Sequence, residues 1–115
     1  MKYRVIVSSL AEAEIDSVFL QISNFTSPTQ ASQWYSGLLK AIYSLSEFPR
    51  RCSLSGENEY SSQEVRQLLY GRGRKAYRVL FTILEDQEIP TIRILNIRYA
   101  SQQTIGEPPM ENDEI

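Results

Sequence analysis

The sequence predicts an α+β fold: an N-terminal strand, an antiparallel helical hairpin, and then a three-stranded antiparallel meander that forms one sheet packed on the helices. Two observations lead to this prediction. First, two long segments with apolar residues at helical spacing follow one another with only a very short turn between them. Second, three later segments rich in β-branched and aromatic residues are joined by short connections. With 115 residues, the chain has the length of one domain.

The first predicted strand covers residues 2–7, in which Lys, Arg and Ile alternate with Tyr and Val. We expect it to join one edge of the sheet. A helix follows at once, because Ser9 and Glu12 have the spacing of a capping box, in which a hydroxyl and a carboxylate satisfy free backbone N–H groups. The apolar stripe of this helix consists of Ala11, Ile15, Val18, Phe19, Ile22 and Phe25.

The second helix has its own start signal at Ser27, with Pro28 in the first helical position and Gln30 in the third. Pro49 prevents its continuation. Because the turn between the helices is so short, they must be antiparallel neighbours. The apolar stripe here consists of Ala31, Trp34, Tyr35, Leu38, Ile42 and Leu45. We interpret the aromatic residues Trp34, Tyr35 and Tyr43 as packing residues rather than as platforms for stacked bases.

The three strands of the meander are predicted at about residues 64–70, 76–84 and 91–99. Sequential antiparallel pairing is the simplest topology for them, because the connections are short. One face of this sheet would be buried under the helical hairpin. Residues 50–63 are polar and rich in serine, and they are predicted to form a surface connection.

The predicted domain covers residues 1–103, and residues 104–115 are predicted to be a flexible acidic tail without apolar patterning. Four of the 14 acidic residues lie in this tail, so 14 − 4 = 10 acidic residues face 12 basic ones in the body, which is slightly cationic. The tail could compete in cis for a basic surface of the body. The four acidic residues are Glu107, Glu111, Asp113 and Glu114.

Composition excludes several classes of site and points to a compartment. The chain has no histidine, which excludes a Cys–His nucleophile pair and a histidine-based metal site, and we predict neither a metal nor a cofactor. The one cysteine, Cys52, cannot form a disulfide within the chain. No apolar run is long enough to span a membrane. We therefore expect a cytoplasmic protein without a membrane partner.

The strongest local feature is a basic hairpin over residues 65–83, VRQLLYGRGRKAYRVLFTI. Gly71 and Gly73 permit positive φ angles at its tip. Arg66 and Arg78 lie on the flanking strands. The alternative to a functional role for them is a place on an exposed sheet face, with salt bridges to acidic neighbours. The basic residues of the tip are Arg72, Arg74 and Lys75. The alternative to a functional role for them is a turn that is simply exposed to solvent.

Several segments resemble the RelE/ParE superfamily of bacterial toxins. They are YRVIVSSLAEAEID, ASQWYSGLLKAIYSLSEFPRR, EVRQLLYGRGRKAYRVLFTI and IRILNIRY, in the element order β-α-α-β-β-β. The resemblance covers roughly residues 3–102. It implies the toxin of a type II toxin–antitoxin pair, held inactive by a cognate antitoxin. Some relatives cleave messenger RNA on the ribosome, and others poison DNA gyrase without cutting nucleic acid.

The resemblance also implies roles for individual residues. In a metal-independent endoribonuclease, Arg78 and Arg66 would bind phosphate and Tyr99 would be the candidate proton carrier, since arginine bonds two phosphate oxygens at once. The candidates for binding nucleic acid or another target are Arg72, Arg74, Lys75 and Arg98.

Three functions remain open at this point. Many relatives carry a histidine or a basic run after the last strand, whereas this chain reads RYASQQ there. This departure favours a ParE-like inhibitor of DNA gyrase over a RelE-like ribosome-dependent nuclease. The third alternative is a degenerate member that binds only the antitoxin. A homodimer or a hetero-oligomer with the antitoxin is compatible with each.

Overall fold

Two helices pack on one face of a five-stranded mixed sheet. The computed structural model describes residues 2–56 and 63–99, apart from the side chain of Arg74. In chain order the elements are β1 (Arg4–Val7), α1 (Ser9–Phe25), α2 (Pro28–Tyr43), β2 (Ser53–Leu54), β3 (Arg66–Tyr70), β4 (Tyr77–Leu84) and β5 (Thr91–Tyr99). The predicted tail over residues 104–115, and its boundary with the domain, lie outside the described residues.

The strands are arranged in the order β1-β5-β4-β3-β2. Strands β3, β4 and β5 form the predicted antiparallel meander, and β1 joins it in parallel beside β5. The sheet has one strand more than predicted, because Ser53 and Leu54 pair with β3 inside the segment interpreted as a surface connection. A strand of two residues is too short to produce a recognisable alternation.

The start of α1 is one residue earlier than predicted. Ser8, not Ser9, is the N-cap, and its hydroxyl accepts a hydrogen bond from the Ala11 amide at 3.1 Å. The Ser8 amide donates to the carbonyl of Ile94 at 3.0 Å, so Ser8 is held in extended conformation by the sheet. An N-cap needs this non-helical conformation, which explains the choice between two adjacent serines.

The start of α2 agrees with the prediction, and its end does not. The Ser27 hydroxyl accepts from the Gln30 amide at 3.1 Å, and Pro28 is the first helical residue. The α-helix ends at Tyr43, before Pro49, and continues as a short 3₁₀ helix over Ser44–Ser46. Phe48 then adopts a left-handed conformation with φ of 52°, which turns the chain away from the helix axis.

The core lies between the helices and the sheet face that they cover, which we call the inner face. Its largest fully buried members are Leu38, Ile42 and Leu45 from the helical side and Val79, Phe81, Ile92 and Ile94 from the sheet. Each such side chain contributes about 1.5–3 kcal/mol when it is fully removed from water. In the part of the chain that the structure describes, no helix is long and apolar enough to cross a membrane.

Candidate functional site

Strand alternation divides the candidate residues between the inner face and the opposite face, which we call the outer face. In β4, Tyr77, Val79 and Phe81 belong to the core and therefore point to the inner face. Arg78 lies between Tyr77 and Val79 and so points to the outer face. The register pairs Arg78 with Arg98 on one side and with Leu69 on the other, so these three residues form a row across the outer face.

Arg78 and Arg98 bring two positive charges together on the outer face. Arg78 is only 7% exposed, and its Nη1 donates a long hydrogen bond of 3.4 Å to Oε1 of Gln67. Arg98 is half-buried, and its Nε is buried without a hydrogen-bond partner among the residues that the structure describes. Directly opposed like charges are destabilising, and an anion between them would offset that repulsion. The row therefore concentrates positive charge on the outer face, where Arg78 has interactions beyond its hydrogen bond to Gln67.

Arg66 is not part of this row, because it points to the inner face. Its Nη1 donates to the Cys52 carbonyl at 2.6 Å and to the Arg50 carbonyl at 3.4 Å. Its Nε forms an ion pair with Glu64 at 2.9 Å. Arg66 thus fastens the segment before β2 to the start of β3, and its donors are directed at the backbone of its own chain.

Tyr99 stacks on Tyr77 at the edge of the inner face. Their ring centroids are 4.6 Å apart, and Trp34 packs edge-on against Tyr77 at 5.4 Å. Burial, and secondarily the interaction with Tyr99, raise the pKa of the Tyr77 phenol above its ordinary value. Tyr99 itself is 37% exposed and lines an open apolar groove with Phe25 and Lys75. It lies on the face opposite to Arg78.

The tip of the basic hairpin has the positive φ angles that its glycines predicted, 101° at Gly71 and 59° at Gly73. A short 3₁₀ helix, Gly73–Lys75, occupies the turn. Arg72 and Lys75 are exposed, whereas the predicted site residue Arg74 has a side chain outside the described part.

Comparison with known proteins connects this architecture to a family. The model of the ParE toxin of the type II toxin–antitoxin system parDE matches residues 5–104. The chain belongs to the ParE toxin family. This match confirms the predicted resemblance to the RelE/ParE superfamily and identifies the chain as the toxin component of a type II system. The matched range contains all the candidate site residues named above.

The fold of this ParE-family toxin is also similar to a solved structure, the chromosomal ParDE TA system from P. aeruginosa. The TM-score is 0.65 at 16% sequence identity, and the similarity covers 85% of this chain and 96% of that chain. It supports the predicted α+β fold. No curated protein sequence matches the chain significantly.

Sequence reasoning missed two arginines of this ParE-family toxin that share the outer face. Arg93 is exposed on β5 opposite Thr82, and Arg4 is exposed on β1 opposite Thr91. Regular alternation along β5 would place Arg93 and Arg98 on opposite faces. A register shift opposite Leu80 and Phe81 of β4 changes which residues of β5 face outward, so both arginines lie on the outer face. Only the strand pairing reveals that they share a face.

A cluster of polar side chains that local sequence patterns do not indicate lies at the opposite end of the sheet. Arg50 donates to Oε2 of Glu85 at 2.7 Å, and the Tyr3 hydroxyl donates to the same oxygen at 2.9 Å. The Arg50 hydrogen bond, together with that from Tyr3, holds the pKa of Glu85 below its usual value. Arg51 donates to the carbonyls of Glu47 and Phe48, just beyond the end of the second helix. Within residues 2–56 and 63–99, no group of acidic, cysteine or histidine side chains is arranged to hold a metal ion.

Proposed function

We propose that this ParE-family toxin inhibits DNA gyrase by binding to it, and that a cognate antitoxin neutralises the toxin by binding to it in turn. The observation that carries the proposal is the separation of the nuclease candidates. Arg78 lies on the outer face of the sheet, whereas Arg66 and Tyr99 lie on the inner face. A general acid, a general base and a phosphate-binding cation must reach one phosphate together, and residues on opposite faces of a sheet do not.

The contacts of Arg66 strengthen this argument. A phosphate-binding arginine offers its planar fork to two phosphate oxygens. Here Nη1 and Nε already bond the Cys52 carbonyl and Glu64. Inhibition by binding requires none of these groups to transfer a proton, so it is compatible with the arrangement as it stands.

The surface that we propose for a target consists of the basic hairpin tip and the adjoining part of the outer face. Arg78 lies on β4, which follows the tip with its exposed Arg72 and Lys75, and the register pairs Arg78 with Arg98 of β5. Charges arranged in this way raise association rates and select acidic partners. An acidic segment of the antitoxin that covered the same surface would prevent the toxin from reaching its target.

Inducible expression in a bacterial host, with and without the antitoxin gene, tests this function. The expected result is growth arrest with relaxed plasmid DNA, relieved by the antitoxin, and loss of supercoiling when the purified toxin is added to purified gyrase. Codon-periodic cuts in messenger RNA with normal supercoiling would instead identify the RelE-like nuclease. No effect on growth in either setting would identify the degenerate member and would refute both toxic functions.

Arginine variants connect the activity to the surface. Arg78→Ala and Arg98→Gln are expected to abolish or strongly reduce gyrase inhibition while the circular dichroism spectrum stays native. Lys40→Gln, on the exposed side of α2, is the matched control for loss of one positive charge and should leave inhibition unchanged. Full inhibition by both arginine variants would exclude the outer face as the target surface.

A further inference from the structure

An apolar groove lies at the end of the sheet where β5 stops. It is bounded by the end of α1, the first half of α2 and the hairpin tip, and its volume is about 610 Å³. Among the described residues of its lining, Lys75 is the only charged one. The aromatic residues of the lining are Phe25, Trp34, Tyr77 and Tyr99.

The aromatic groove is preformed and open to solvent. Tyr77 is held between Tyr99, stacked on it at 4.6 Å, and Trp34, edge-on at 5.4 Å. Phe25 belongs to the predicted apolar stripe of α1, yet it is 86% exposed, and Tyr99 is 37% exposed. Aromatic surface left in water forgoes a large hydrophobic stabilisation, so an apolar segment placed in this groove would be bound.

The chain itself continues directly from the groove. Tyr99 is both the last residue of β5 and part of the groove lining, and residues 100–115 follow it. The first of these, 100–104, read ASQQT, and the next, 105–110, read IGEPPM. We call residues 105–110 the proline segment. Ile105 lies within about 20 Å of Tyr99 even when the connection is fully extended, so the segment stays beside the groove.

The proline segment has the chemistry that an aromatic groove accepts. Consecutive prolines favour an extended helix without internal hydrogen bonds, and such segments dock in aromatic-lined grooves with little loss of conformational entropy. The thioether of Met110 makes favourable contacts with aromatic rings. Glu107 precedes the two prolines and Glu111 follows Met110, so the segment carries the charge opposite to that of Lys75.

We propose that the proline segment docks in the aromatic groove of the same molecule, with Pro108, Pro109 and Met110 against the rings and Glu107 facing Lys75. A short flexible connection gives an effective concentration on the order of 1 mM. A segment whose free peptide binds with a Kd of about 0.1 mM is then docked in about nine molecules of ten. Any partner that uses this groove must displace the segment, whatever the cellular target of the toxin is.

Selective ¹³C labelling of the methionine methyl groups tests the docking in the full chain. The chain contains two methionines, Met1 and Met110, and the signal that Met110→Leu removes is that of Met110. Docking places this methyl group beside aromatic rings, whose ring currents shift its signal upfield of free methionine. Nuclear Overhauser effects to the rings of Trp34 or Tyr99 are also expected. A Met110 signal at the position of free methionine would overturn the proposal.

A pair of α1 variants tests whether the contact lies in this groove. Phe25→Ser removes an exposed part of the lining and is expected to move the Met110 signal towards free methionine. Leu20→Ser is the matched control, because Leu20 is 59% exposed on the same helix and does not line the groove. Equal effects of the two variants would overturn docking in the groove. Should Phe25→Ser fail to fold, Lys75→Glu on the exposed tip replaces it with the same expectation.

Dilution separates docking within one molecule from insertion into a second copy of the chain. A contact within one molecule does not depend on protein concentration, so the Met110 signal should keep its position over an about tenfold dilution. A return of the signal towards free methionine on dilution would show insertion into a second copy and would overturn the proposal.

A competing peptide measures how often the groove is filled. The probe is a fluorescent peptide of residues 104–112, TIGEPPMEN. The variant I105S/P108S/P109S/M110S is expected to bind it about tenfold more tightly than the parent chain, because its own segment no longer occupies the groove. The matched control Q102S/Q103S/T104S changes only the connection and should bind the peptide as weakly as the parent. Equal binding by the parent and the proline-segment variant would overturn the proposal.

Discussion

Replacing Arg66 with alanine is expected to destabilise the fold, because this side chain connects the start of β3 to the segment before β2. Its side chain is only 15% exposed, and its donors reach the Cys52 carbonyl and the Glu64 carboxylate. The sequence-based hypothesis assigned it to phosphate binding instead. The two roles predict different measurements, so the variant separates them.

The size of the effect follows from the bonds that are lost. The hydrogen bond from the charged guanidinium to the Cys52 carbonyl is short, at 2.6 Å, and such bonds contribute about 1.5–3 kcal/mol. The ion pair with Glu64 is half-exposed on the carboxylate side and contributes at most about 1 kcal/mol. The contact with the Arg50 carbonyl, at 3.4 Å, is too long to add much. The free energy of unfolding should therefore fall by about 2–3 kcal/mol.

Urea unfolding, followed by the fluorescence of Trp34, measures this change. Trp34 is the only tryptophan and packs against Tyr70 and Tyr77, so its emission reports the contact between α2 and the sheet. Arg72→Ala, on the exposed hairpin tip, is the control and should change stability by less than about 0.5 kcal/mol. An Arg66→Ala protein with parental stability but without toxicity would refute the structural role and restore a role at the target.

Three further predictions concern the fold that supports the site. Gly37→Ala should destabilise the protein in thermal unfolding, because an added Cβ would collide with the hydroxyl of Tyr70, which donates to the Trp34 carbonyl; a native melting temperature would contradict this close approach. Ser8→Ala should cost about 1 kcal/mol in urea unfolding and Ser9→Ala much less, since only Ser8 caps α1; equal losses would argue against the assigned cap. The raised pKa of Tyr77 contributes stability that is fully present below pH 10.0, the ordinary phenol pKa, and is lost as the pH rises above it. Tyr77→Phe should therefore flatten the fall in stability above that pH, by up to about 1.4 kcal/mol per pH unit, and an unchanged pH profile would show that this phenol is not the group responsible.

The helical hairpin and the meander could be predicted from local patterns alone. The start of α2 is encoded within four residues, Ser27 to Gln30, by the N-cap and the proline that follows it. Strand β5 has the predicted bounds because its β-branched residues begin directly after Pro90 and the apolar pattern ends at Tyr99. Short-range sterics and hydrogen bonding decide such features, so they are readable in a single sequence. The family resemblance depends on the same segments and is confirmed.

Which arginines lie on the same face of the sheet could not be predicted from local patterns. Hairpin proximity suggested that Arg66 and Arg78 act together, but the register pairs Arg66 with Phe81 and Arg78 with Leu69, on opposite faces. A one-residue difference in strand register exchanges the faces, and register is decided by the packing of the whole core. The bulge that brings Arg93 onto the face of Arg98 likewise depends on pairing between two strands.

Composition and local spacing thus determine which elements form and how many arginines the strands contain. Long-range pairing determines that four of these arginines share the outer face while Arg66 turns inward to the backbone. The difference has a physical origin: helix caps and strand propensities act between residues close in sequence, whereas a site is assembled by contacts between residues far apart. The choice of Ser8 over Ser9 as the N-cap is an example. The Ser8 amide donates to the carbonyl of Ile94, 86 residues away, and this bond holds Ser8 in the extended conformation that an N-cap needs.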